Sequence, residues 1–266
     1  MSDRNPNEPG ANRRDGPRLP PSAPGLPQPE TWALRVVEAT EIAPRVRRLS
    51  FTGPDLARFG YVAGQDLMFL IPTAAEPVRR RYTIRRFDRA RVVVDVDFVI
   101  HGDGPAARWA AGAEPGAEIE AVGPRGKVVL EPEVDWHLFA GDESAIPATF
   151  AMVEALDAGV PALAFLEVDG PLDEQPTGAV VADLRLRWLH RGDAEPGTTT
   201  LLHDALAVAE LPPGAGYAYL NGELQTVKAL KATLAARGFA PDRMSAKGYW
   251  SVGRPNATHG EPAADA

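Results

Sequence analysis

The stretch 136–156, WHLFAGDESAIPATFAMVEAL, decides the fold of the chain's second half. WHLFAG (136–141) is short and mostly apolar and aromatic, and reads as a strand. Gly141-Asp142-Glu143 interrupts it, and an apolar run with Pro147 near its start then reads as a helix. Strand, glycine turn and helix form the opening unit of a parallel sheet. Toward the C-terminus the alternation continues. PALAFLEV (161–168), LRLRWLHR (184–191), GYAYLNG (216–222) and MSAKGYW (244–250) read as strands, TTTLLHDALAVAEL (198–211) and TVKALKATLAARG (226–238) as helices.

Toward the N-terminus the style differs. WALRVVEAT (32–40), RVRRLSFTG (45–53), DLMFLIP (66–72), RRYTIRRF (80–87), RVVVDVDFVI (91–100) and EIEAVGPRG (118–126) are short and β-branched or aromatic, bounded by Gly, Pro or Asp. One short helix, GPAARWAAGA (104–113), interrupts them. Such spacing predicts a barrel or sandwich. The expected architecture is an antiparallel β-barrel domain over 31–130, then an α/β parallel-sheet domain over 135–254, with LEPEVD (130–135) as linker. Residues 1–30 are rich in Pro, Gly and Asn and lack Val, Ile, Phe, Trp and Tyr, so they are expected to be a disordered tail. Residues 255–266 are expected to be a second one.

Composition narrows the function. The 266 residues include no cysteine, which excludes disulfides, thiolate metal sites, cysteine-ligated clusters and a cysteine nucleophile. A formal net charge of -8 argues against a nucleic-acid binder held by bulk charge. No apolar run suggests a membrane span, and no apolar segment follows Arg13-Arg14 as a secretion signal would require, so the expected location is the cytoplasm.

Against that acidity, seven arginines fall between Arg79 and Arg91 with one acid, Asp88. They are either a charged edge strand or an anion site, since guanidinium forks match phosphate oxygens. Strand alternation puts Arg80 and Tyr82 on one face and Thr83 on the other. Arg80 could hold a pyrophosphate, Tyr82 could stack on a flat cofactor, and Thr83 could bond one of its heteroatoms. After the valine-rich strand, His101-Gly102-Asp103-Gly104-Pro105-Ala106 leads into a helix whose first N–H groups suit an anion. His101 could equally be a satisfied turn histidine, and Trp109 reads as core. Asp142 and Glu143 repel a diphosphate, so their turn is either a poor phosphate cradle or a helix cap. Asn221-Gly222-Glu223 is another strand end meeting a helix, and Lys247-Gly248-Tyr249-Trp250 either covers a cofactor ring or packs at the domain seam.

The series RRYTIRRFD, VDVDFVIHGDGPAARWA, GDESAIPA, WLHR, NGE and KGYW resembles the siderophore-interacting protein family, FAD-dependent ferric-siderophore reductases of the ferredoxin-reductase-like group. The resemblance covers roughly residues 32–254. It implies an FAD-binding barrel followed by an NAD(P)H-binding domain. By resemblance, Arg80 reaches the FAD pyrophosphate, Tyr82 stacks on the flavin and Thr83 bonds near its N5, with Arg81 alongside. Val99, His101, Gly104, Pro105, Ala106 and Ala107 form the second FAD segment. Asp142, Glu143 and Ser144 face the nicotinamide, and Glu223 and Trp250 complete the cofactor-binding set. Lys247 and Arg254 are the expected contacts for an anionic ferric chelate, because Ser251-Val252 stand where relatives often carry a basic residue.

The implied activity is NAD(P)H-dependent reduction of ferric siderophores, with electron transfer through flavin and no catalytic acid or base. Flavin or carrier-protein reduction, the arginine stretch docking an acidic redox protein, is one alternative; non-catalytic chelate binding is another. Glu167 could take the ribose hydroxyls of NADH, and His190 and Arg191 could meet the 2'-phosphate of NADPH.

Overall fold

The computed structural model of the chain describes Gly25, residues 27–100 and residues 104–253. His101 and Arg254 lie outside the described residues, as do the expected tails apart from Gly25 and 27–30.

Six antiparallel strands close into a barrel in the order β1-β2-β5-β4-β3-β6. They are β1 (Glu30–Ala43), β2 (Val46–Thr52), β3 (Asp66–Ile71), β4 (Val78–Asp88), β5 (Val93–Val99) and β6 (Glu118–Arg125). β1 is long enough to pair with β2 on one side and β6 on the other, with register shifts that let it bend round the closure. Alternate residues fill the interior: Trp32, Leu34 and Val36 from β1, Val94, Val96 and Phe98 from β5. The opposite face of β5 is polar yet covered. Asp95 accepts from Ser50 and Arg86, and Asp97 takes a two-pronged bond from Arg48 at 2.6 and 2.8 Å. The helix α1 (Pro105–Gly112) follows β5 and packs Ala106 and Ala110 into the barrel core.

The second half is a parallel sheet in the order β11-β10-β7-β8-β9. Its strands are β7 (Trp136–Asp142), β8 (Pro161–Val168), β9 (Asp183–His190), β10 (Gly216–Glu223) and β11 (Met244–Trp250). Helices α3 (Leu201–Val208) and α4 (Leu224–Ala236) cover one face. The crossover from β8 to β9 contains only a short 3-10 turn, Pro171–Asp173. On the other face lies α2 (Ile146–Val153), and all of its residues are buried. Its apolar surface all round follows from its place between the sheet and barrel strand β4. The strand order reverses between β7 and β10, so the crevice at their carboxyl ends is where this architecture receives a ligand.

The two halves meet along β4. Arg85 forms a bidentate ion pair with Glu154, which follows α2, at 2.5 and 2.8 Å, and its guanidinium lies 5.6 Å from the Phe150 ring centre. Thr83 is hydrogen-bonded to Tyr249 of β11. Asp66, paired with Arg81, also reaches Lys247 at 3.3 Å. Arg45, in the turn between β1 and β2, pairs with Asp169. No helix among the described residues is long and apolar enough to cross a membrane.

Candidate functional site

The arginine-rich strand is sorted by the pleat. Tyr82 and Ile84 turn toward the barrel core, and Arg80 shares their face. Tyr82 packs at 4.1 Å, centre to centre, on Phe98, and burial pushes its phenol up to about 12. Arg80 donates one bond to the Arg79 carbonyl at 2.7 Å, whereas its other terminal nitrogen, Nη2, is buried with no hydrogen-bond partner among the described residues. A buried guanidinium nitrogen left in this state is costly unless an acceptor completes it. β5 lies beside β4 and runs out at Val99, and α1 begins soon after. Its N-cap, Gly104, has no side chain to cap the helix, and the N–H groups of a first helical turn suit an anion. These features fit an FAD pyrophosphate, with Ala106 and Ala107 buried just behind the helix start.

The opposite face of β4 is spent on the seam. Arg81 is tied to Asp66 at 2.9 and 2.5 Å, and Thr83 is engaged by Tyr249. Lys247 shares the Asp66 carboxylate and sits 5.3 Å from the Tyr249 ring centre. Burial and the neighbouring charges of Arg81 and Arg79 push the Arg125 guanidinium below its ordinary value. Asp66 is a residue the sequence reading missed. Its only signal is a lone acid opening the apolar run DLMFLI.

At the carboxyl ends of β7, β10 and β11, four expected site residues come together around one carboxylate. Asp142 Oδ1 accepts from the Ser144 backbone N–H at 2.9 Å and its hydroxyl at 2.5 Å. Oδ2 accepts from the Glu223 backbone N–H at 2.7 Å and the Trp250 indole N–H at 2.9 Å. Burial, then the nearby charge of Glu143, pushes Asp142 up to about 6. Gly222 makes the approach possible: its φ is +134, and a Cβ there would stand 2.5 Å from Oδ2. Glu223 caps α4, accepting from Thr226 N–H at 2.8 Å and from Val252 N–H at 3.3 Å. Beside it opens a cavity of about 300 Å³ lined by Gly197, Thr198, Glu223, Leu224, Gln225, Ser251 and Val252.

Glu143 turns instead to Arg191, bonding it at 2.8 and 2.9 Å; Arg191 also pairs with Asp169 and is almost wholly buried. Val99 and Glu143 line one narrow crevice across the seam, with Arg45 and Arg191. Glu167 is buried and accepts from the Thr199 hydroxyl at 2.6 Å, and burial raises its pKa. His190 is bonded to Glu174 at 2.8 Å. The two features that could separate NADH from NADPH are thus both engaged within the protein.

The geometry has counterparts among known proteins. Residues 62–128 match the siderophore-interacting FAD-binding domain, and residues 134–253 match the siderophore-interacting protein model. The crystal structure of a siderophore utilization protein from T. fusca is 32% identical, covers 88% of this chain and 97% of its own, and superposes with a TM-score of 0.81. Ferric vibriobactin reductase ViuB of Vibrio cholerae is 33% identical over 67% of this chain and 66% of its own length. The NADPH-dependent ferric-chelate reductase of Escherichia coli is 29% identical over 76% and 78%. With its FAD-binding barrel in front of a parallel-sheet domain, the chain belongs to the siderophore-interacting protein family.

Proposed function

We propose that this protein is a cytoplasmic, NAD(P)H-dependent flavoprotein that reduces ferric siderophores and so releases ferrous iron. The observation that carries the reading is the buried Nη2 of Arg80, without a partner among the described residues, on the strand next to β5, after which the chain enters helix α1 through Gly104. Arg80 and the first N–H groups of α1 would hold the pyrophosphate, and Tyr82 would offer its ring to the flavin. Bound FAD supplies the conversion of a two-electron donor into one-electron steps. A ferric chelate, the substrate, takes one electron, and the softer ferrous ion is held less well by hard oxygen ligands.

The chain's own residues supply position and charge. Glu223 faces the cavity beside α4 and suits hydroxyl or amide groups of a nucleotide better than its phosphates. Lys247 of β11 shares the Asp66 carboxylate with Arg81 at the seam, and an anionic chelate would be drawn to that side of it. Relatives that carry the names of ferric-chelate and ferric-vibriobactin reductases support the substrate class. The test is anaerobic titration of the purified protein with NADH and with NADPH, followed at the flavin band, then addition of a panel of ferric chelates. Bleaching by a nucleotide and recovery of the band on adding a chelate are expected. A colourless protein that takes up no FAD, or a reduced flavin that no ferric chelate reoxidises, would overturn the reading.

A further inference from the structure

The carboxylate of Asp142 has no capacity left for a ligand. Its two oxygens receive four donors, from Ser144 N–H, Ser144 Oγ, Glu223 N–H and Trp250 Nε1. A carboxylate offers about four lone-pair sites, so a nucleotide could bond to it only by displacing one of these. The Trp250 indole has one N–H, and it is committed to Asp142.

Behind that bond stands the cavity. Gly197, one of its lining residues, has φ +75; a Cβ there would come 2.7 Å from Glu223 Cγ and 3.1 Å from both Trp250 Cη2 and Val252 Cγ2. The far edge of the Trp250 ring therefore lies against the cavity wall, while its N–H end is fixed on Asp142. Glu223, which also lines the cavity, has its backbone N–H fixed by the same carboxylate. We propose that Asp142 is a positioning residue for nicotinamide-nucleotide binding: it sets the Trp250 ring and the Glu223 turn that shape the cavity, without touching the nucleotide. The cavity takes the hydroxyl- or amide-bearing part of the nucleotide, because the Glu223 carboxylate accepts such groups and repels phosphate. This rests on the function proposed above for its ligand, but not for the coupling between Asp142 and Trp250.

The experiment uses the full chain loaded with FAD and labelled with ¹⁵N-tryptophan. The indole signal missing from Trp250→Phe identifies Trp250. In Asp142→Asn, the amide NH₂ meets donors it cannot accept from, so the Trp250 indole signal is expected to shift. Calorimetric affinity for NADP⁺ or NAD⁺, whichever the wild type binds, should weaken roughly tenfold. Trp250→Phe should weaken it similarly, and the double variant no further than the worse single one. An unmoved indole signal in Asp142→Asn, or additive losses in the double variant, would overturn the proposal. Should Asp142→Asn fail to fold, Trp250→Phe decides: wild-type nucleotide affinity in it rejects the proposal, and a roughly tenfold loss supports it. A wild type that binds neither nucleotide overturns the function reading and the nucleotide role, while the indole signal still reports whether Asp142 holds Trp250.

Discussion

Arg85 of the barrel and Glu154 of the α/β half share two hydrogen bonds, at 2.5 and 2.8 Å, with side chains only 7% and 18% exposed. Glu154 also accepts from the Gly178 backbone N–H at 2.7 Å, so one carboxylate ties the barrel to the β8–β9 crossover. Glu154→Leu leaves the Arg85 charge buried without its partner, and a loss of about 3 kcal/mol is expected. The double variant Arg85→Met, Glu154→Leu should recover most of it, because no charge is then stranded. Denaturant midpoints of the variants measure this; equal losses in the single and double variants would show that the stranded charge is not the cause.

Arg80 differs from its neighbour five residues on, since its guanidinium has a buried nitrogen that no described residue completes. Arg80→Ala should therefore weaken FAD binding by about tenfold or more while disturbing the apoprotein little. Flavin fluorescence on dilution gives the affinity. Unaltered FAD binding would place the pyrophosphate elsewhere.

Tyr82 packs on Phe98 and Phe69 within the barrel, so its ring carries stability as well as any cofactor contact. Tyr82→Ala is expected to cost about 3 kcal/mol of stability and to lower FAD retention. Tyr82→Phe keeps the ring and should retain FAD. The flavin-to-protein ratio after gel filtration, read beside an unfolding curve, separates the two effects.

The strands of both halves were legible because burial imposes a period of two or an unbroken apolar run, and β4 was legible to the level of which side chains share a face. α2 was legible as a helix from its apolar run and the proline near its start, though not its burial between sheet and barrel. What could not be read was the partner of each charge. Asp66 meets Arg81 across neighbouring strands but Lys247 from the far end of the chain, and Asp142 finds Glu223 and Trp250 only once the sheet is assembled. Arg81 and Arg85, indistinguishable from Arg80 by composition, prove to be held by carboxylates at the seam. Spacing along a strand fixes a direction; it does not say what waits there.

Asp142 also predicts a pH dependence. Its folded pKa of about 6 lies above the ordinary 3.8, so the folded protein keeps a proton that the unfolded chain releases first. As pH rises from about 4 to about 6, this residue's contribution makes the fold progressively less stable, and above that window the contribution is constant. Asp142→Asn removes it. The stability of wild type relative to Asp142→Asn should therefore decline across that range, as measured by denaturant unfolding at a series of pH values. A flat difference would mean that the hydrogen bonds to Asp142 offset its burial, and a difference that rises with pH that they outweigh it.

Because β4 gives Val78, Tyr82 and Ile84 to the barrel and Arg81, Thr83 and Arg85 to the junction, the stretch ahead of its Ile84–Arg86 register shift tolerates no change of length. Loss or gain of one residue inside the strand between Val78 and Arg80 would exchange the two sets, sending Arg81 and Thr83 inward and Tyr82 out to Tyr249. Cofactor grip and the union of the two halves would fail in the same event, so insertions and deletions are expected to survive in the neighbouring 72–77 turn and not within the strand.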